Sequence, residues 1–100
     1  MATREEVMAK KSIEEIAMNR IIEELRNAEV KHPGFPIDVV HGACILVEEA
    51  GSVAKAALDY YYGRSDNQEK LRVEIAHAGA MAIRFLLRML DSNHYPEQRR

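Results

Sequence analysis

The sequence predicts an all-α fold of three main helices, and three observations lead to that prediction. Apolar residues recur every three or four positions over long stretches, which is the spacing of one face of an α-helix. Two short stretches, residues 32–36 and 63–67, hold the proline, glycine and small polar residues that end helices. Trp is absent and aromatic residues are only 6% of the chain, so Ala, Ile, Leu, Val and Met must build the core. Such a core suits packed helices.

The first helix is predicted to begin near Thr3 and to end at residues 31–32. Glu5 and Glu6 fall in its first turn, where negative charge favours the positive end of the helix dipole. Pro33 follows the predicted end, and proline disfavours a helical conformation at the residue before it. The apolar face of this helix consists of Ile13, Ile16, Ala17, Ile21, Leu25 and Ala28.

The second helix is predicted over residues 37–62. Asp38 is placed to be its N-cap or first-turn residue, and Gly63 can take the left-handed conformation after its end. Two apolar rows run along this helix, so much of its circumference must be covered and it is expected to be the central helix. Cys44 within it is expected to be a small buried hydrophobe. The first row is Val40, Ala43, Val47, Ala50, Ala54, Leu58 and Tyr61; the second adds Val39, Leu46, Val53, Ala57 and Tyr60.

The third helix follows a polar turn, residues 63–67, that is short enough to make the second and third helices antiparallel neighbours. Either Ser65 or Asp66 is expected to cap it, and residues 91–93 are expected to end it. Small residues along it allow close approach of another helix. Residues 92–100 are expected to fray. The apolar positions of this helix are Leu71, Ile75, Ala78, Ala82, Phe85, Leu86 and Met89.

The whole chain is expected to be one domain, residues 1–100, with an N-terminal helix and connection (1–36), a core hairpin (37–91) and a tail (92–100). The second helix would be about 39 Å long, whereas a 100-residue globule has a radius of gyration of about 13 Å. A partner chain is expected to cover the apolar surface of this helix that the single chain cannot bury. We therefore expect a homo-oligomer, a dimer or tetramer, in which the hairpins of two subunits complete a four-helix core.

Charge and hydropathy exclude several classes of partner. The net charge is −2, so the sequence shows no electrostatic footprint for nucleic acid or an anionic membrane. No apolar run reaches the ~18 residues of a membrane span, and no secretory leader is recognisable. Cys44 is the single cysteine and cannot form a disulfide within the chain, which fits a reducing compartment. A cytoplasmic location is expected.

Two polar pairs lie on the predicted hairpin. Glu49 and Ser52 are three residues apart, as are Glu74 and His77, so each pair projects from one face of its helix. If the turn is centred near Ser65, the two glutamates differ in level by about seven residues, or ~10 Å, and can meet only through stagger, tilt or a different turn centre. If the pairs do converge, they could bind Mg²⁺ or Mn²⁺.

Each candidate residue also has a purely structural interpretation. Glu48 is either part of a site or a solvated carboxylate that pairs with a nearby cation. His77 is either a ligand or proton carrier, or a hydrogen-bonded histidine of the core or an interface. Ser52 is either a ligand or a small residue at a helix contact. Lys55 and Arg84 either neutralise phosphate or cap and pair as helix-surface cations usually do.

An ordered set of motifs across residues 32–87 resembles the MazG-like family of all-α nucleoside triphosphate pyrophosphohydrolases, particularly its small versions of the phage and prophage type. The set begins with a His-Pro-Gly sequence and includes two adjacent glutamates followed by a third glutamate on the next helix. The motifs are HPG at residues 32–34, ILVEEAG at 45–51, KAALDY at 55–60, LRVE at 71–74 and AMAIRFL at 80–86.

The resemblance implies a site for Mg²⁺, or alternatively Mn²⁺, that holds a triphosphate while water cleaves between its α and β phosphates. Glu48, Glu49 and Glu74 match the family's acidic motif. Ser52 stands where the family has a further acidic residue, and His77 where it has an aspartate. Glu49 and Glu74 would be the principal metal ligands with His77 and Ser52 beside them, and Glu48 would be a ligand or the catalytic, water-orienting base.

Two functional hypotheses follow. In the first, the protein is a metal-dependent pyrophosphohydrolase that converts a nucleoside triphosphate to a monophosphate and pyrophosphate, with Lys55 and Arg84 binding the substrate. In the second, it is a non-catalytic MazG-like homo-oligomer that serves as a nucleotide-binding or protein-interaction module. Ser52 and His77 favour the second hypothesis, because losing two carboxylates weakens the attraction for a hard divalent ion.

Overall fold

The structure, a computed structural model, describes residues 1–36 and 38–91. It contains three helices, α1 (Arg4–Lys31), α2 (Val39–Tyr61) and α3 (Gln68–Leu90), and no strand within the described residues. The predicted all-α class with three helices is confirmed. The predicted start of the second helix at Ile37, the predicted end of the third at residues 92–93, and the tail to residue 100 lie outside the described residues.

The N-termini of α1 and α2 are capped by side chains: Thr3 at the predicted start of α1, and Asp38, which takes the first of its two predicted roles. The hydroxyl of Thr3 accepts a hydrogen bond from the backbone N–H of Glu6 at 3.1 Å. The carboxylate of Asp38 accepts hydrogen bonds from the backbone N–H groups of Val40 and His41 at 2.8 and 3.0 Å. Each side chain thus satisfies N–H groups that have no partner within the helix.

The turn after α2 is closed by backbone hydrogen bonds to one carbonyl. The carbonyl oxygen of Asp59 accepts from the N–H groups of Arg64 and Ser65 at 2.8 and 3.1 Å. Gly63 has φ +74°, the left-handed conformation predicted for it. The chain can therefore reverse direction within a few residues of Tyr61, the last residue of α2.

The predicted cap of α3 is wrong by one or two positions, because Asn67 caps this helix. Its side-chain oxygen accepts a hydrogen bond from the N–H of Lys70 at 3.1 Å. The two predicted candidates are used in the preceding turn instead. The hydroxyl of Ser65 accepts from the N–H of Asn67 at 3.2 Å, and the carbonyl of Asp66 accepts from the N–H of Gln68 at 3.1 Å.

The central helix is α3, whereas the sequence favoured α2. Within the described part of the chain α2 and α1 each pack against α3 and not against each other. The pairing of α2 with α3 is antiparallel, since Gly42 near the start of α2 lies beside Phe85, and Tyr60 near its end accepts a hydrogen bond from Gln68. Ala76 and Ala80, four residues apart on one face of α3, are buried, and their small side chains allow close approach of a neighbouring helix there.

The helix α1 runs parallel to α3. Arg20 of α1 forms an ion pair with Glu69 at the start of α3, and Ile21 packs over Gly79. At the other end the carbonyl of His32 meets α3 near its C-terminus. Residues 32–36, called here the connection, follow α1, and the three helices form a layer in the order α1, α3, α2.

The core lies where α1, α3 and the connection meet. Phe35 of the connection is buried and its ring centroid is 6.0 Å from that of Phe85. Arg84 is also buried; its guanidinium donates to the carbonyl of His32 at 2.5 Å and lies 5.4 Å from the centroid of the Phe35 ring. Arg84 therefore fastens the connection to α3. The buried cluster is Leu25, Ala28, Phe35, Ala80 and Met81.

The first apolar row of α2 remains exposed in the single chain and is called here the outer stripe: Val40, Ala43, Val47, Ala50, Ala54, Leu58 and Tyr61. Only the side of α2 that carries the second row faces α3. Val47 is 71% and Leu58 51% exposed. The prediction that Cys44 is buried is wrong for the single chain, because its side of α2 also has no neighbouring helix.

The N-terminal half of α1 is exposed along its whole length. No residue from 1 to 19 is buried or half-buried, although Val7, Met8, Ile13 and Ile16 are large and apolar.

None of the helices in residues 1–36 and 38–91 combines the length and hydropathy needed to cross a membrane. The cytoplasmic location stays a prediction.

Candidate metal centre

Three side chains from two helices converge on one point of the hairpin. One ligand atom from each of Glu49, Glu74 and His77 lies within 4.8 Å of the others. His77 Nδ1 is 3.7 Å from Glu49 Oε2. All three residues are half-buried, and we call this group the Glu-Glu-His cluster. It brings together three of the four metal ligands predicted from the sequence.

The register of the hairpin explains how the cluster forms. The expected 10 Å difference in level assumed a turn centred on Ser65, but the chain reverses nearer to Gly63. His77, rather than Glu74, is therefore level with Glu49. Glu74 lies one turn below His77 on α3, and two residues three apart on a helix share a face.

The charges of the cluster favour a cation at its centre. Two carboxylates at this distance repel each other, and partial burial reduces the water that would screen them. The side chain of Glu49 is 24% exposed and that of His77 41% exposed. Binding of a metal ion would relieve the repulsion.

The donor set fits a divalent metal ion. Carboxylate oxygens suit hard cations such as Mg²⁺, which keeps several waters and takes only one or two carboxylates from the protein. An imidazole nitrogen as a third ligand suits Mn²⁺ better than Mg²⁺, because nitrogen is the softer donor. Three protein ligands leave coordination positions for water or a phosphate oxygen. The cluster could therefore hold a metal ion.

A cavity of about 750 Å³ lies beside the cluster, between α1 and α2 and over one side of α3. Glu49 and His77 line one part of it. Lys31 and Arg84 line another part and contribute positive charge there, and Glu24 contributes a negative charge to the same lining. Its volume is within the range of cavities that hold small organic molecules, including nucleotides.

One wall of this cavity was missed by the sequence interpretation. Glu24, Asn27 and Lys31 of α1 line the cavity, opposite the hairpin. These residues recur at helical spacing beside buried Leu25 and Ala28. A polar row directly beside an apolar row was the available signal, but the sequence could not tell which helix it would face.

Two predicted site residues on α2 lie away from the cluster. Glu48 is exposed and does not line the cavity. It follows from the helix geometry, in which successive residues are turned by about 100°, that Glu48 points away when Glu49 faces α3. The hydroxyl of Ser52 donates to the carbonyl of Glu48 at 3.4 Å, and Ser52 is exposed.

The two predicted substrate-binding residues differ in position. Lys55 Nζ is 3.3 Å from Asp59 Oδ2, and Lys55 does not line the cavity. Arg64 Nε is 3.0 Å from the other oxygen of Asp59; hydrogen bonds from Arg64 and then Lys55 hold the pKa of Asp59 below its ordinary value. Arg84 does line the cavity, with one guanidinium nitrogen already bound to the carbonyl of His32.

Comparisons with protein-family models, with curated proteins and with solved structures find no match to this chain.

Proposed function

We propose that this protein is a metal-dependent nucleotide pyrophosphohydrolase that cleaves a nucleoside triphosphate to a monophosphate and pyrophosphate. The observation that supports it most is the convergence of Glu49, Glu74 and His77 at the edge of a nucleotide-sized cavity. The ordered motifs that resemble MazG-like enzymes support the same function independently. Mg²⁺ is the ion expected from the two carboxylates, and Mn²⁺ is the alternative that His77 favours.

The charges around the cavity suit a polyphosphate. Lys31 and Arg84 at one part of the cavity can attract the negative charge of phosphates, while the cluster at another part attracts a divalent ion. A ligand that carries phosphates and a bound metal ion is complementary to both parts. A neutral metabolite would use neither.

The residues of this chain have separate tasks in the proposed reaction. Glu49 and Glu74 hold the metal ion and His77 completes the set, while Lys31 draws phosphate toward the cavity. The bound ion would neutralise phosphate charge and make an attacking water more acidic. Arg84 acts mainly by holding the connection that forms the cavity edge, since its guanidinium contacts His32 and Phe35. Glu48 lies outside the cavity, so we assign it no proton transfer.

A non-catalytic nucleotide-binding or interaction module is the second candidate, and a specific observation favours it. The hydroxyl of Ser52 is bonded to its own helix and adds no charge to the cluster. With His77 in addition, only two carboxylates remain to attract a hard ion. Such a site could keep a nucleotide without turning it over.

The test is release of pyrophosphate from a panel of nucleoside triphosphates, with Mg²⁺ and with Mn²⁺. We expect turnover of at least one nucleotide, and Glu49→Gln should abolish it because one of two carboxylate ligands is lost. Glu15→Gln, at an exposed position far along α1, is the matched control and should retain full activity. Binding without turnover across the panel would favour the second candidate. If the protein neither binds nor cleaves any nucleotide, the enzyme and the nucleotide-binding module are both refuted.

A second experiment restores the missing carboxylates. Ser52→Glu with His77→Asp should tighten Mg²⁺ binding about tenfold or more and raise turnover, because the aspartate adds an oxygen ligand to the cluster and the glutamate adds negative charge one turn from Glu49. The measurement is titration calorimetry beside the pyrophosphate assay. If His77 is itself a required ligand, the double variant should bind Mn²⁺ less tightly than the natural sequence does.

A further inference from the structure

The outer stripe of α2 has a symmetric order about its centre, residues 50–51. Each position before this pair has a counterpart at the same distance after it, three, seven and ten residues away. In two of the three pairs a larger side chain is matched with alanine. The pairs are Val47 with Ala54, Ala43 with Leu58, and Val40 with Tyr61.

This order makes the stripe complementary to an antiparallel copy of itself. If two such helices cross at residues 50–51, Val47 of one copy meets Ala54 of the other, and Leu58 meets Ala43. Alanine and glycine lie at the crossing point, where helices must approach most closely. A Cβ added at Gly51 would have no heavy atom within 4 Å in the single chain, so this point is open to a partner. A parallel pairing would instead place Leu58 on Leu58.

Charges beside the stripe select the same orientation. Glu48 and Lys55 are seven residues apart and therefore lie on the same flank of α2. In the antiparallel pairing, Glu48 of one copy and Lys55 of the other are within about 3 Å of the same level along the axis. Opposite charges then meet twice across the two-fold axis. In a parallel pair the same flanks of the two copies would lie on opposite sides of the interface, so Glu48 and Lys55 could not meet.

We propose that the outer stripe is the interface of a homodimer in which the α2 helices of two copies pack antiparallel and cross at residues 50–51. Glu48 and Lys55 then form ion pairs between the copies. The cavity lies on the side of α2 that faces α3, so it stays open in the dimer. This inference stands whether or not the cluster binds a metal ion.

The first test is the mass of the protein in solution at micromolar concentration. We expect twice the 11.4 kDa of the single chain. Val47→Arg should weaken the dimer by about tenfold or more in Kd, because it places a charge in the apolar interface. Val30→Arg is the matched control, since Val30 is 82% exposed on α1, and it should leave the Kd unchanged. A monomer at all concentrations, or equal effects of the two variants, would overturn the proposal.

The second test exchanges the flanking charges. Glu48→Lys and Lys55→Glu should each raise the Kd of the dimer several-fold, and the double exchange should restore it to near its original value. Restoration is expected only if the two residues meet across the interface. Additive losses in the double variant would contradict the pairing.

The third test uses cysteine crosslinking to distinguish antiparallel from parallel packing of the two α2 helices. In the antiparallel dimer the two copies of Cys44 are about 20 Å apart along the axis, far beyond the ~7 Å between Cα atoms that a disulfide allows. Mild oxidation should leave the natural protein uncrosslinked. Gly51→Cys in a Cys44→Ser background should crosslink readily, because the two copies of residue 51 lie near the crossing point. Crosslinking through Cys44 without Gly51→Cys would establish the parallel arrangement and refute ours.

Discussion

The two sides of α2 share nearly the same pattern of apolar residues, but they lie in different environments. The inner side packs on α3, where Gly42 and Ala56 are buried and Glu49 joins the cluster. None of the other helices in residues 1–36 and 38–91 packs on the outer stripe, and Val47 and Leu58 remain more than half exposed. The comparison teaches that periodicity specifies a helix, while the neighbouring helix determines which side becomes core.

The same contrast separates two adjacent glutamates. Glu49 is half-buried and 3.7 Å from His77, whereas Glu48 is exposed on the other side. Sequence position alone would give them similar roles. Their difference in environment is what makes one a candidate metal ligand and the other a candidate contact between chains.

The largest expected effect is the difference in free energy of unfolding between truncating a buried side chain and truncating an exposed side chain of the hairpin. Met81→Ala should lower the free energy of unfolding by about 2–3 kcal/mol, because Met81 is only 7% exposed and its loss leaves a cavity. Leu58→Ala on the outer stripe should cost less than about 0.5 kcal/mol in the dilute single chain. Urea denaturation at low protein concentration measures both. Equal losses would mean that the outer stripe is covered within one chain.

A smaller effect on the free energy of unfolding is expected for two glycines of α2. Substitution by alanine should destabilise the inner side and stabilise the outer side. A Cβ at Gly42 would lie 3.0 Å from Phe85, so Gly42→Ala should cost about 1 kcal/mol through overpacking. A Cβ at Gly51 meets nothing, so Gly51→Ala should stabilise the dilute single chain by up to about 1 kcal/mol through helix propensity. Thermal unfolding of both variants gives the signs. Stabilisation by both would show that the Phe85 ring can move aside.

The smallest expected effect on stability concerns Asp59, which lies next to the turn between α2 and α3. Hydrogen bonds from Arg64 and then Lys55 lower the pKa of Asp59 in the folded state. Its contribution to stability is therefore present above the unfolded pKa of about 3.9 and is lost as pH falls through the lower folded value. Asp59→Asn should destabilise the protein slightly at neutral pH, and the difference should vanish in strong acid.

The control for that measurement is Asp66→Asn in the same exposed turn, which should leave the pH profile of stability unchanged. Unfolding curves from neutral to acidic pH compare the two variants with the natural sequence. A difference for Asp59→Asn that grows as the pH falls would contradict the assigned sign.

Much of the fold could be predicted from local signals. The helix start near Thr3, the cap Asp38 and the left-handed Gly63 each depend on a few neighbouring residues, and all three predictions are confirmed. The cap of α3 was missed because Ser65, Asp66 and Asn67 are all good capping residues, and backbone hydrogen bonds in the turn choose between them.

The candidate site could be predicted only in part, because it depends on register and on helix order. The spacing of Glu74 and His77 placed both on one face, but their approach to Glu49 required the true centre of the turn. The wall formed by Asn27 and Lys31 could not be predicted, since no local pattern shows that α1 packs on α3. Long-range packing therefore determines the cavity.

The most direct test of the central claim is titration calorimetry of Mn²⁺ into the natural protein, Glu49→Gln and Glu48→Gln. We expect one ion to bind per chain, Glu49→Gln to lose at least about tenfold in affinity, and Glu48→Gln to bind as the natural protein does. Without metal, Glu49→Gln should unfold at the same temperature as the natural protein or at a higher one, since removing one of two facing carboxylates relieves repulsion. No binding by the natural protein, or equal loss in the two variants, would contradict the assignment of Glu49, Glu74 and His77 as a metal centre.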